Sequence, residues 1–263
     1  SVHSMVEKIV TDAQTAYGMV PNKYVKTSEN FGRVDKGACL GLIAFVRWVA
    51  ATPLWNGASQ YGYNLRRVFE NEYAYDIILR LARELLTRGA KVHIIIRDKK
   101  DGIRDGHILS NSKRETCMGD PIPLNQVERL KQRCKWVDKL FKKDKSNYKR
   151  AIFIHVDSRS KGKQTDVFFY HAPGSSKGKR LANNLHRTFD KKYDKHQPNR
   201  GFSGTVSGRN LYVLSHTTPA SVFVELGNIQ NSFDQRRLVI NSNRQALAKW
   251  LMEGFLKDYK EKK

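Results

Sequence analysis

Cysteine is scarce: the chain holds only Cys39, Cys117 and Cys134. Three widely spaced thiols build neither a dense disulfide framework nor a zinc-finger or redox pattern. They read as mostly buried thiols, with a single bridge left open. Acidic residues are also few. Against 48 Lys and Arg stand 25 Asp and Glu, a formal charge of +23. That excess predicts attraction to polyanions: nucleic acid, an anionic membrane surface or an anionic wall polymer. No RNP-type motif, zinc-finger spacing or basic heptad array accompanies it, so nucleic-acid binding rests on charge alone. No apolar run is long enough to span a membrane. The most apolar stretch, ACLGLIAFVRWVAATPL (38–54), is interrupted by Arg47 and falls short of the roughly 20 residues a span needs. It reads as a central strand with its flanks. Repeats and long low-complexity linkers are absent. From Ser1 onward no signal-peptide pattern is visible, which is compatible with removal of a leader.

What is present suits one large α/β domain, since 40% of residues are apolar. Residues 1–37 read as an N-terminal extension, with a short amphipathic helix broken by Gly18 and Pro21. From residue 38 to 263 strands and helices alternate. CLGLIAFV is a first strand. The segment 72–89 is a helix with Ile77, Ile78, Leu81, Ala82 and Leu85 on one face. VHIII (92–96) is a strand, and 124–141 a helix striped by Val127, Leu130, Cys134, Val137 and Phe141. AIFIHV (151–156), DVFFYH (166–171), LYVL (211–214) and SVFVE (221–225) read as strands, 175–193 and 243–259 as helices. This alternation predicts a twisted, mostly parallel sheet with helices on both faces.

Functional groups in such sheets gather at the carboxyl ends of strands. Two strands end in unusual residues: His155 in FIHVDS and Glu225 in VFVELGNIQN. Burial at a strand end disfavours the charge of Glu225, so it needs either a salt bridge or a working role. Glu72 opens a helix after a polar loop, with Glu70 two residues earlier as its rival. An imidazole and carboxylates converging at one end of a sheet are the raw material of a zinc hydrolase.

These segments resemble the zinc-dependent N-acetylmuramoyl-L-alanine amidases that cleave peptidoglycan. The likeness rests on FIHVDS (153–158), on NRG followed by LYVL (199–214), and on TPASVFVELGNIQNSFDQRRL (218–238) before a final Arg-x-x-x-Ala helix. It is strongest from residue 150 onward. The resemblance implies a shallow zinc-bearing groove at the carboxyl ends of the strands. It implies His155 and Glu72 as ligands of Zn²⁺ and Glu225 as the catalytic glutamate. It implies peptidoglycan as the substrate, and hence a periplasmic or secreted protein.

One departure stands out. The family's further zinc histidine, in a Gly-His-Gly-Gly segment, would fall near Ala51 or Thr52, and WVAATPLWN (48–56) has no histidine. His171, His216 and His3 are the substitutes at hand. His171, ending its strand, is also a substrate-binding candidate, as are Arg200 and Arg209, which flank a Gly/Ser loop and suit a peptide carboxylate. Asp157 is placed to orient His155 or to cap a turn. The basic run 131–150 is a solvated face or a seat for an anionic polymer. The rival expectation is an amidase fold with a degenerate zinc site, binding wall or partner without turnover.

Overall fold

The computed structural model describes residues 69–157 and 164–262, together with Thr11 and Thr15. Ser1–Asn64 and Leu65–Lys263 are separate units. In the first, Thr11 and Thr15 are helical and the Thr15 hydroxyl donates to the Thr11 carbonyl at 2.9 Å. Apart from these two residues, the expected extension, the first strand, the histidine-free segment 48–56 and His3 lie outside the described residues.

In the second unit the elements run α1 (Glu70–Leu86), β1 (Ile96–Arg97), β2 (Thr116–Cys117), β3 (Asp120–Pro121), α2 (Gln126–Lys143), β4 (Ala151–Asp157), β5 (Phe168–His171), α3 (Ser176–His196), β6 (Thr205–Gly208), α4 (Tyr212–Ser215), β7 (Ser221–Asn228), α5 (Ser232–Val239) and α6 (Asn241–Lys260). Local chemistry sets several boundaries. Asn125, Ser175 and Asn231 cap α2, α3 and α5, each side chain accepting from backbone N–H groups of its first turn. Thr87 ends α1, and Gly89 follows with φ 77°, a conformation that favours glycine.

The main sheet has the order β4-β7-β5-β6. β4 pairs with β7 in parallel, β5 with β6 in parallel, and β5 with β7 antiparallel. The described sheet is therefore mixed. Helices lie on both faces. On one, α1 packs against β4 and α6, and α3 against β5, β7 and α6. On the other, Cys134 of α2 and Val213 and Leu214 of α4 bury Phe153 and Tyr170 in a single apolar cluster.

Two segments depart from the sequence reading. LYVL forms one helical turn, with Ser215 N–H donating to Leu211 O and His216 N–H to Tyr212 O. A run of four apolar residues fits a buried strand or a buried turn equally, and here packing of Val213 and Leu214 under α2 decides. VHIII is a strand only from Ile96, in a small antiparallel sheet with β2 and β3. The strand TVSG and the helix α5 carry no clear periodicity, and sequence patterning does not anticipate them.

Buried ion clusters tie the elements together. Asp76 of α1 accepts from Arg80 Nε at 2.8 Å and Arg244 Nε of α6 at 2.7 Å. Asp258 of α6 accepts from Arg150 and Arg180 at 2.8 and 2.7 Å, and from the Tyr148 hydroxyl at 2.8 Å. Asp166 pairs with Arg200 and Arg237. Such pairs cost much to desolvate, and breaking one side leaves an uncompensated charge.

Candidate active site

Parallel pairing of β4 and β7 puts His155 directly beside Glu225. Both strands are rich in β-branched and aromatic residues, and they present these two polar side chains near their carboxyl ends. His155 stacks on Phe223, ring centroids 4.3 Å apart and 14° from parallel. Both His155 and Glu225 are half-buried.

Just beyond them the register shifts: Asp157 pairs with Asn228, so β7 carries one extra residue. This bulge holds Gly227 at φ 125°. A Cβ there would meet Arg237 Nη1 at 3.2 Å and the Asp234 Cβ at 3.3 Å. Asp234 fastens the bulge by accepting from Asn228 N–H at 3.0 Å and Thr165 N–H at 2.7 Å. The bulge sharpens local twist at the end of the strand that carries Glu225.

Alternation in β5 places Phe168 and Tyr170 on the Glu225 face, Phe168 opposite Glu225 and Tyr170 opposite Phe223. The guanidinium of Arg209 lies 4.9 Å from the Tyr170 ring. Burial pushes the Tyr170 phenol up, Arg209 pulls it back, and the carboxylates of Glu225 and Asp157 push it up again. The phenol therefore keeps its proton at neutral pH and can donate. His155, Asp157, Glu225, Tyr170 and Arg209 thus form one polar group at the edge of an apolar layer.

The other sequence candidates have partners of their own. His171 alternates to the opposite face, buried, with Nδ1 2.9 Å from the Ala172 carbonyl. Arg200 is engaged by Asp166 and packs over Tyr193. His216 stacks on Tyr212 at 4.0 Å, with Nδ1 3.0 Å from the Tyr212 carbonyl. Glu72 is buried at the start of α1. One carboxylate oxygen accepts from Ser112 N–H and Asn71, both at 2.9 Å, and the other from Arg104 at 2.7 Å. Sequence reasoning missed both Tyr170 and Arg104. The alternation in DVFFYH held a clue to Tyr170, but which face it shares depends on the register with β7. Nothing local singles out Arg104.

A family model described as N-acetylmuramoyl-L-alanine amidase (amidase_3) matches residues 56–257. The chain belongs to that family. As a member it is an amidase of cell-wall hydrolysis, acting on peptidoglycan. Solved amidases share its fold. The CwlD amidase from Clostridioides difficile, in complex with the GerS lipoprotein, is 17% identical with a TM-score of 0.52, covering 73% of this chain and 86% of that one. The apo form of Ami1 from Mycobacterium abscessus is 16% identical with a TM-score of 0.52, covering 72% of this chain and 78% of that one. Ami1 from Mycobacterium smegmatis is 15% identical at the same TM-score of 0.52, covering 73% and 77%. At these identities the likeness is one of fold. No curated protein matches the chain by sequence.

As for a metal, no group of three or more His, Cys, Asp or Glu side chains placed to hold one occurs among the described residues. The donors that this amidase does offer, the His155 imidazole and the Glu72 carboxylate, have the chemistry zinc takes. They are two where a catalytic zinc site uses three, and Glu72 is already met by a guanidinium and a backbone N–H.

Proposed function

We propose that this amidase cleaves the amide between N-acetylmuramic acid and L-alanine on the face where β4 and β7 present His155 and Glu225. The observation that carries the reading is their side-by-side register at the carboxyl ends of parallel strands. Glu225 takes the proton of the attacking water and returns it to the leaving amine, the general-base and general-acid roles of one carboxylate. Its surroundings suit those roles. A stacked His155–Phe223 floor limits water on one side, and the bulge at Gly227 fixes the strand end. His155 and Glu72 are the donors that would hold Zn²⁺. When bound, the zinc supplies a Lewis acid that polarises the scissile carbonyl. Arg209, at the mouth of this face, suits a carboxylate of the peptide stem, and Arg200 and His171 are left to structural roles. Residues 38–263 would form the catalytic domain and 1–37 an extension. The substrate places the work outside the cytoplasmic membrane, in the periplasm or beyond, and among the described residues no helix is long and apolar enough to cross a membrane. The charge of +23 suits anionic wall polymer as a secondary partner.

A second reading, an amidase fold that binds without cutting, has its own support in the hold of Arg104 and Ser112 on Glu72. One experiment separates the two. Purified without chelator, the protein should carry near one zinc per chain and release peptide from muropeptide, while Glu225→Gln keeps the zinc and the fold and loses at least about 100-fold in rate, the scale of a general base. Zinc near zero that added metal does not restore, with no turnover, would leave the binding reading. Full activity in Glu225→Gln would remove Glu225 from the mechanism.

A further inference from the structure

Tyr170 is a residue of two halves. Its ring belongs to the apolar cluster of Cys134, Phe153, Val213 and Leu214, with only 9% of the residue exposed. Phe223 lies 6.3 Å from it at 39°, and Phe168, two residues back along its own strand, at 6.3 Å. Antiparallel register sets Tyr170 opposite Phe223, one step diagonal from Glu225 on the same face. A diagonal offset of that kind is within reach of a tyrosine side chain. Arg209 is placed by its own backbone, whose N–H donates to the His171 carbonyl at 2.9 Å at the end of β6. Arg209 as a residue is exposed, and its guanidinium sits 4.9 Å from the Tyr170 ring. A wedged ring has already lost its rotamer freedom, so its hydroxyl is a donor that costs little further entropy to use. A guanidinium beside it adds a seat for a carboxylate. A carbonyl and a carboxylate a few bonds apart are what the peptide stem of a muropeptide presents.

We propose that Tyr170 is a specificity-determining residue for the peptide stem, its phenol donating to a stem carbonyl while Arg209 faces the stem's free carboxylate. This rests on the His155–Glu225 face being where the substrate lies. Tyr170→Phe keeps the ring and its packing and removes only the donor.

The test is calorimetric binding of N-acetylmuramoyl-L-alanyl-D-isoglutamine to the full chain in a Glu225→Gln background, where the probe is not consumed. Tyr170→Phe should weaken binding about three- to tenfold, the worth of one neutral hydrogen bond, with an unchanged melting temperature. Arg209→Ala should weaken it about tenfold or more, and that loss should vanish with a probe whose carboxylate is amidated, while the Tyr170→Phe loss persists. In the Glu225 enzyme, Tyr170→Phe should raise KM and leave kcat near its original value. A Kd within twofold for Tyr170→Phe, or a fall in kcat at constant KM, overturns the proposal, as does failure of the probe to bind at all. Binding that follows the expected pattern in a protein that never cleaves the amide would sink the hydrolytic reading alone and leave this one standing.

Discussion

Replacing Asp76 by Asn should be among the most damaging single changes to the described fold. Its carboxylate is fully buried and accepts from Arg80 Nε at 2.8 Å, Arg244 Nε at 2.7 Å and the backbone N–H of Arg104 at 2.8 Å. Arg244 is itself 0% exposed, burial works against its charge, and Asp76 is the main group that opposes this. Asparagine nearly keeps the shape but removes the charge, and its amide N–H₂ must face either the two Nε donors that share one oxygen or the Arg104 N–H on the other. Removing one partner of a buried ion pair costs about 3–5 kcal/mol. For a unit of this size each kcal/mol is roughly 2–4 °C, so the melting temperature should fall by about 6–20 °C. Denaturant unfolding followed by circular dichroism gives the free energy directly. Asp105→Asn is the control: it meets the same Arg80 at 3.1 Å, but its side chain is 78% exposed, and an exposed pair is worth under about 1 kcal/mol. A loss below about 1 kcal/mol in Asp76→Asn, or equal losses in both variants, would refute the reasoning. The effect should also spread. Asp76 pins the backbone of Arg104, and the Arg104 side chain holds Glu72 at 2.7 Å.

Two further outcomes follow from named contacts. Gly227→Ala puts a Cβ at φ 125° within 3.2 Å of Arg237 and 3.3 Å of Asp234; denaturant melts should show a loss of about 1–3 kcal/mol, with hydrolysis falling as the strand end beneath Glu225 shifts, and an unchanged stability would mean the bulge relaxes freely. Burial pushes the Cys134 thiol up to about 11 and raises that of Cys117, so at pH 8 both stay protonated and neither should react with a disulfide reagent in the native protein; prompt reaction of either before unfolding would contradict their burial.

The elements that periodicity made legible are those whose own sequence decides them. α1, α2, α3 and α6 carry continuous apolar stripes, and β4 and β7 carry runs of β-branched and aromatic residues. The short pieces resisted for the same reason. Four apolar residues in LYVL cannot signal their own state, and packing under α2 made them a helical turn. Of the site, His155 and Glu225 stood out because polar groups at the ends of apolar strands are costly without a purpose.

By itself, then, the sequence determined the α/β alternation, the family, and the two strand-end groups most worth testing. Only the tertiary structure decided which residues meet. Side-chain alternation says that Tyr170 and His171 face opposite ways, but not which of them joins Glu225; the antiparallel register of β5 on β7 chose Tyr170. Likewise Glu72 and Arg104 lie far apart in the chain and came together because Asp76, Arg80 and Arg244 lock the loop around Arg104 against α1 and α6. Long-range pairing of charges is set by the packing of whole elements, and no local pattern carries it.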